Sequence, residues 1–291
     1  MSGKANSVPI IDSLAPHASR YDVWLCDVWG VIHNGRWAFE AAASACMRFR
    51  EQGGVVVLIS NSPRPSEALV EQLDSLGVPR EAYDATATSG DVTRGLISAR
   101  ERMRVFHLGP DRDKPIFDGL DVLHVGPEEA ELVVCSGLYD DQTETPEDYA
   151  DRLATLKRLE LTMVCANPDL VVERGTDIVY CAGALAKAYE ALGGEVIYAG
   201  KPYPAIYELA LRLAGEAKGE PPDLARVLAI GDGLATDMAG AMAAKLDAVF
   251  VASGVHVEGH GHGDELDGAA VTALFEDHEA RPIAAVSGLR W

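Results

Sequence analysis

Short apolar segments alternate along the chain with segments of helical periodicity. Residues 23–27 (VWLCD), 55–60 (VVVLIS), 227–232 (VLAIGD) and 248–253 (AVFVAS) are apolar at nearly every position. Strands without alternation are typical of a parallel sheet that helices cover on both faces. The pattern therefore predicts an α/β fold with a parallel sheet. The first three strands each end in a polar residue, and their carboxyl ends are expected to share one edge.

Two segments have the spacing of packing helices. One is expected to begin near Pro65 and to end at Gly77, and the other follows Lys201. Their apolar positions recur every three or four residues, which predicts one buried face on each helix: Leu69, Leu73 and Leu76 in the first, and Ile206, Leu209 and Leu213 in the second.

The middle of the chain has strands and helices of its own. Strand candidates lie within 104–109, 131–137 and 161–166, and a helix is expected from Pro146 to about Leu159 with Thr145 as its cap. We therefore predict a core domain made of residues 1–87 and 189–291. A smaller α/β cap domain, residues 88–188, is inserted into it.

Composition and charge narrow the class of protein. The chain has 291 residues, 48% of them hydrophobic, and it lacks the roughly 20 consecutive apolar residues of a membrane span. Its amino terminus lacks the apolar core of a secretory signal, and its five cysteines are widely spaced within apolar segments. The net charge of −20 opposes binding to nucleic acid or anionic membranes. We expect a reduced, cytoplasmic protein that binds neither.

Polar residues at the ends of the first two strands are the first site candidates. Asp27 ends the strand 23–27 and precedes a glycine-containing loop, whereas Ser60 and Asn61 occupy the matching place after 55–60. A hydroxyl and backbone N–H groups there can bind phosphate oxygens. Taken alone, an Asp at the end of a strand is more often a turn or helix-cap residue, and a polar turn explains Ser60 and Asn61 at least as well.

Two later motifs supply a cation and further carboxylates. Lys201 in AGKPYP lies between a short strand and a helix, where its charge can neutralise bound phosphate. In GDGLATD, Asp232 ends an apolar strand and Asp237 enters the next helix. Two acids in this arrangement suit a hard cation, although Asp237 can simply favour a helix amino terminus.

Taken in order, Asp27, Ser60, Lys201, Asp232 and Asp237 resemble the four motifs of the haloacid dehalogenase (HAD) superfamily, over nearly the whole chain. The segments CANPDLVV, AGALA and YAGKPYP resemble those of NagD-like, nitrophenylphosphatase-like members, which carry a cap between the second and third motifs. The resemblance implies a Rossmann-like HAD core and a phosphatase acting on a small, sugar-phosphate-like metabolite. Substrate identity and oligomeric state are not predicted.

The resemblance also implies a role for each motif residue. Asp27 attacks phosphorus to form an aspartyl phosphate, and Lys201 holds phosphoryl oxygens. The implied substrate-binding residues are Ser60, Asn61, Asn167 and Asp169. The implied ligands of a Mg²⁺ cofactor are Asp27, the backbone carbonyl of Trp29 and Asp232, and Asp237 is either a further ligand or a residue that orients the others.

Trp29 departs from the family pattern. Hydrolysing members have a second Asp there, which protonates the leaving oxygen, and an indole cannot transfer a proton. General acid–base help is worth about 100- to 10,000-fold. His33 is a candidate substitute, although a lone histidine is more often structural. A tryptophan at this position is also compatible with four alternatives. The substrate has a good leaving group, the phosphate itself carries the proton, the reaction is dehalogenase-like, or the protein is a phosphate-binding regulator with weak or no turnover.

A histidine-containing segment near the carboxyl end has the residue types of a metal site. His256, His260 and His262 lie within VHVEGHGHGDE, and the intervening glycines favour a surface loop instead.

Overall fold

The computed structural model describes residues 7–99, 101–174, 177–252 and 266–291. Its strands, in chain order, are β1 (Val23–Asp27), β2 (Val55–Ser60), β3 (Ala85–Thr88), β4 (Met103–Leu108), β5 (Val122–His124), β6 (Leu132–Cys135), β7 (Met163–Cys165), β8 (Val171–Arg174), β9 (Asp177–Tyr180), β10 (Val196–Tyr198), β11 (Val227–Gly231), β12 (Asp247–Val251) and β13 (Ala284–Val286).

The described α-helices are α1 (Ala15–Ala18), α2 (Glu40–Glu51), α3 (Ser66–Ser75), α4 (Ser89–Ser98), α5 (Ala150–Arg158), α6 (Ala182–Ala191), α7 (Pro204–Lys218), α8 (Ala239–Ala243) and α9 (Gly268–Leu274). Short 3-10 turns occupy Arg80–Ala82, Asp111–Phe117, Pro127–Glu129, Pro146–Tyr149 and Leu224–Arg226, and a π-helical turn spans Leu234–Met238. In this part of the chain no helix is both long and apolar enough to cross a bilayer.

One compact unit comprises Met1–Ile59, Glu71–Thr86 and Tyr207–Trp291. It contains a six-stranded sheet in the order β13-β12-β11-β1-β2-β3, and β1 pairs in parallel with both β11 and β2. All five residues of β1 are buried, as its unbroken apolar run predicts. Helix α2 packs on this sheet through Phe49, whose ring stacks on Trp24 at a centroid distance of 4.1 Å. The predicted parallel α/β class is confirmed.

The second compact unit comprises Ser60–Val70 and Ala87–Ile206. Its five-stranded sheet has the order β10-β7-β6-β4-β5 with parallel pairing, and β8 and β9 form an antiparallel hairpin. Leu153 and Leu156 of α5 and Leu185 of α6 belong to its buried core. The cap expected at 88–188 is narrower than this unit. Its end falls inside α6, and the unit extends further because β10 pairs with β7.

The structure also refines the predicted helix after Thr145. Its first turn, Pro146–Tyr149, is a 3-10 turn, and the α-helix itself is α5. Thr145 forms a capping box with Asp148, because each side chain binds the other residue's backbone N–H. All five cysteines are buried free thiols.

Candidate active site

Asp27 lies at the carboxyl end of β1 with only 7% of its surface exposed. One carboxylate oxygen accepts a hydrogen bond from the backbone N–H of Val28 at 2.7 Å. The loop then turns back on itself, since Ile32 N–H donates to the Val28 carbonyl and Gly30 N–H donates to the His33 carbonyl, both at 2.8 Å. These bonds fix the direction in which the chain leaves the nucleophile candidate.

Three of the predicted site carboxylates lie together in the first compact unit, which contains β1 and β11. Asp27, Asp232 and Asp237 each offer an oxygen, and these oxygens lie within 4.8 Å of one another. Asp27 and Asp237 are buried, and Asp232 is partly exposed. Buried carboxylates at this spacing repel one another unless a cation neutralises them, and oxygen ligands suit a hard divalent cation.

The backbone around this cluster approaches it closely. Gly30 has a φ of +81°, and a Cβ at this position would overlap the Asp232 carboxylate. A Cβ at Gly231 would overlap the side chain of Asp237. Both glycines are therefore needed for the acids to converge. The space and the donor set fit a bound divalent metal ion.

Asp237 is oriented by its own turn. It lies in the π-helical turn Leu234–Met238, and its Oδ2 accepts hydrogen bonds from Gly233 N–H at 3.2 Å and from the Thr236 hydroxyl at 3.1 Å. π-helical turns are rare and often occur at functional sites. Sequence reasoning did not identify Thr236, although it lies inside the GDGLATD motif.

Trp29 and His33 pack against each other in the loop after Asp27. Their rings meet edge to face with centroids 5.5 Å apart, and a Cβ at Gly35 would overlap the Trp29 indole. His33 is 1% exposed, its Nδ1 accepts a hydrogen bond from Gly35 N–H at 3.0 Å, and its buried Nε2 has no hydrogen-bond partner among the described residues. Burial lowers the pKa of His33 to about 4. His33 is thus a neutral group that shapes the loop.

The predicted substrate-binding residues converge in the second unit. The Asn61 amide donates to Asp169 Oδ1 at 2.8 Å and to the Lys201 carbonyl at 3.2 Å, while its Oδ1 accepts from Lys201 N–H at 2.7 Å. Asn167 Oδ1 accepts from Asp169 N–H at 3.0 Å. Lys201 is 3% exposed. One asparagine therefore organises residues that are far apart in the chain.

Two serines neighbour Asn61. Ser60 precedes it in the sequence, and Ser89 contacts its side chain. Ser60 is the last residue of β2, and its hydroxyl accepts from Ser62 N–H at 3.1 Å. The Ser89 hydroxyl lies 3.4 Å from Asn61 Oδ1, a contact that no sequence motif indicated. Strands β1 and β2 pair in a register that sets Ile59, the residue before Ser60, opposite Asp27.

His256, His260 and His262 lie outside the described residues.

Two family models match the chain. The haloacid dehalogenase-like hydrolase model matches residues 24–122, and an HAD-hydrolase-like model matches residues 198–277. The first match contains Asp27, Ser60 and Asn61, and the second contains Lys201, Asp232 and Asp237. A curated relative, the 5'-nucleotidase YutF of Bacillus subtilis, is 23% identical over 242 residues, which are 82% of this chain and 90% of YutF.

Solved structures share the fold over almost the whole chain. A haloacid dehalogenase-like hydrolase from Brucella suis 1330 is 46% identical with a TM-score of 0.85, and the match covers 96% of this chain and all of that one. NagD from E. coli K-12 is 20% identical with a TM-score of 0.65, covering 92% of this chain and 96% of NagD. At 20% identity the second match indicates the fold alone.

Proposed function

The chain belongs to the haloacid dehalogenase-like hydrolase family, and we propose that it is a NagD-like, Mg²⁺-dependent phosphatase acting on small phosphorylated metabolites through Asp27. The observation that carries the proposal is the convergence of Asp27, Asp232 and Asp237 at one place. A carboxylate beside a cation can attack phosphorus without first losing a proton.

Each remaining residue has a proposed role in phosphoryl transfer. Mg²⁺ would be held by Asp27, Asp232, Asp237 and the backbone carbonyl of Trp29, and when bound it would stabilise negative charge on the phosphoryl oxygens. Ser60 and Lys201 would bind those oxygens by a hydroxyl and an ammonium group. Asn61 supports this role for Lys201, because it binds the lysine backbone on both sides.

The substrate side of the proposal rests on Asn167 and Asp169. Asp169 accepts from Asn61, and Asn167 holds the Asp169 backbone, so both are tied to the phosphate-binding residues. Their amide and carboxylate groups suit the hydroxyl groups of a sugar-phosphate-like or nucleotide-like metabolite. The relative YutF, a 5'-nucleotidase, adds nucleoside monophosphates to the compounds worth testing.

The test is phosphate release by the full chain from sugar phosphates, nucleoside monophosphates and 4-nitrophenyl phosphate, with Mg²⁺ or with a chelator. We expect Mg²⁺-dependent release that Asp27→Asn abolishes. Asp223→Asn is the matched control, because Asp223 is an exposed residue that caps a 3-10 turn and asparagine caps equally well. Reduction with borohydride during turnover should convert Asp27 to homoserine, which mass spectrometry detects. Undiminished activity in Asp27→Asn would disprove the nucleophile assignment.

Trp29 favours a second candidate function, a phosphate-ligand-binding or regulatory protein with weak or no turnover. The metal and phosphate groups are retained in that case, while proton transfer at position 29 is lost. Calorimetry that detects Mg²⁺-dependent binding of a phosphorylated compound, with no hydrolysis over hours, would favour this function. Multiple turnovers of any panel compound would exclude it.

A further inference from the structure

The loop that follows the nucleophile candidate carries almost no group able to donate a proton. Residues 28–39 contain two ionisable side chains, His33 and Arg36, and no hydroxyl, thiol, carboxyl or amino side chain. Arg36 is exposed, and a guanidinium group keeps its protons at any physiological pH. His33 is therefore the one side chain of this loop whose chemistry permits proton transfer.

The geometry of His33 commits it to the loop instead. Its Nδ1 lone pair accepts the hydrogen bond from Gly35 N–H, and its ring is buried against Trp29. To act as a proton donor, the ring would first have to be protonated at Nδ1, and this would break the hydrogen bond from Gly35 N–H that shapes the turn. A neutral imidazole with Nδ1 as acceptor carries its proton on Nε2, and that N–H is far too weak an acid to protonate an alkoxide.

Trp29 itself is held in place. Its indole covers Gly35, its edge meets the His33 ring, and its backbone forms a β-bridge with His33. The carboxylates of Asp27, Asp232 and Asp237 lie together, and the proposed function assigns them to the cation. The position two residues after the nucleophile is thus filled by an indole ring that packs against Gly35 and His33.

We propose that Trp29 restricts the enzyme to phosphate compounds whose leaving oxygen departs as a stable anion, namely acyl, enol or aryl phosphates, and disfavours alkyl phosphates. The inference deepens the proposed function and depends on it. It moves the favoured substrates away from the alkyl sugar phosphates that the resemblance implies.

The first chemical step then needs no proton from the protein. An Asp27 oxygen forms a bond to phosphorus while the bond from phosphorus to the leaving oxygen breaks. The electron pair stays on the leaving oxygen, which departs as an anion and takes a proton from water. In the second step a water oxygen attacks the phosphorus, the aspartyl bond breaks and restores the carboxylate, and the proton of the water passes to phosphate or solvent.

Rates measured as kcat/KM report the first step, because phosphorylation of Asp27 releases the leaving group. Without general-acid help, kcat/KM must fall as the pKa of the leaving group rises, since more negative charge develops on the departing oxygen. The help that is missing is typically worth about 100- to 10,000-fold. We therefore expect kcat/KM for 4-nitrophenyl phosphate and acetyl phosphate to exceed kcat/KM for an alkyl phosphate by about 100-fold or more.

The experiment measures kcat/KM of the wild-type chain with Mg²⁺ for substituted phenyl phosphates of graded leaving-group pKa, acetyl phosphate and 2-phenylethyl phosphate as the alkyl member. A steep, continuous fall with leaving-group pKa is the expected result. Equal rates across the series would overturn the inference, because a proton donor elsewhere in the chain would then serve the leaving oxygen. This measurement needs no variant and so cannot fail through misfolding.

Two variants sharpen the assignment to position 29. Trp29→Asp should raise kcat/KM for 2-phenylethyl phosphate about 10-fold or more and change that for 4-nitrophenyl phosphate much less, which flattens the dependence. Trp29→Phe keeps an aromatic ring and should leave the slope unchanged. A flattened slope in Trp29→Phe would contradict the proposal. If wild type releases no more phosphate than Asp27→Asn from any compound, the proposed function fails, and that outcome is distinct from equal rates.

Discussion

Asn61 and Lys201 bind each other through a reciprocal pair of hydrogen bonds across 140 positions of sequence. The Asn61 side chain accepts from the Lys201 N–H and donates to the Lys201 carbonyl, so one amide group fixes both sides of the lysine backbone. The same amide also donates to Asp169 and accepts from the Ser89 hydroxyl. The position of the predicted phosphate-binding lysine thus depends on a residue from the second motif.

Asn61→Ala should destabilise the protein and lower its activity together. The substitution removes four hydrogen bonds from a largely buried site, and each buried group that loses its partner costs about 1–3 kcal/mol. We expect the free energy of unfolding in urea to fall by about 3 kcal/mol. Phosphate release should fall further than the loss of folded protein explains.

Asn34→Ala is the matched control for this prediction. Asn34 also binds backbone N–H groups, those of Arg36 and Trp37, but at an exposed turn where water can replace it. We expect this control to lose about 1 kcal/mol or less. Equal losses in the two variants would mean that the buried bonds to Lys201 have no special weight.

Gly30→Ala should disturb the carboxylate cluster through a single methyl group. Gly30 has a φ of +81°, and the new Cβ would overlap the Asp232 carboxylate. Gly53 has a φ of +88° but nothing within 4 Å of its Cβ position, so Gly53→Ala measures backbone strain alone. That strain costs about 1–2 kcal/mol. Gly30→Ala should cost clearly more in urea unfolding and should weaken Mg²⁺ binding in calorimetry, whereas Gly53→Ala should bind Mg²⁺ like wild type.

The strands that lead to the three clustered carboxylates were predictable because they are long apolar runs. The run 23–27 became β1 without change, and 227–232 became β11 with Asp232 just beyond its end. Strand β13, with the sequence AAV, has too little apolar bulk to stand out. It is identified by its parallel pairing with β12 and not by a local pattern.

Helix α7 shows how packing can override a leucine pattern. The predicted stripe was Ile206, Leu209 and Leu213, but Leu209 and Leu213 are only partly buried. Tyr207 is buried instead. Its ring lies so close to Gly240 of α8 that a Cβ there would overlap it, so the two helices approach closely. Alanines on the same face, Ala210 and Ala214, are fully buried. Small residues carry no periodic signal, so the sequence could not identify this contact.

The same limit applies to the candidate site. Asp27, Asp232 and Asp237 were predictable, since they end or follow apolar strands that lie side by side. The hydrogen bonds from the Asn61 side chain to the Lys201 backbone join two loops, and no local sequence pattern links these loops. The role of His33 is likewise absent from any local pattern, because its burial and its bond to Gly35 distinguish a structural histidine from a catalytic one.

Mg²⁺ should stabilise the fold through the three clustered carboxylates. A ligand that binds only the folded state adds about 2.7 kcal/mol at 100 times its Kd, which corresponds to several degrees in Tm for a chain of this size. We expect thermal unfolding of wild type to shift upward with added Mg²⁺ and Asp232→Asn to lose most of that shift. Glu216→Gln changes an exposed pair with Arg212 and should respond like wild type. A full response in Asp232→Asn would place the cation elsewhere.

The buried His33 should make stability depend on pH in the acid range. Its pKa is about 4 in the folded protein against 6.5 as the ordinary value, so the unfolded chain binds more protons between these limits. Stability from this group is complete above about pH 6.5 and is lost as the pH falls towards 4, by about 3 kcal/mol in total.

Urea unfolding of wild type and His33→Asn at intervals between pH 4 and 7.5 isolates this contribution. The asparagine oxygen can still accept from Gly35 N–H, but the side chain does not titrate. His107, whose pKa burial also lowers to about 4, is present in both proteins, so its effect cancels in the comparison. The free energy of unfolding of His33→Asn should therefore fall less steeply on acidification. Parallel curves would show that His33 is protonated as readily in the folded chain as in the unfolded one.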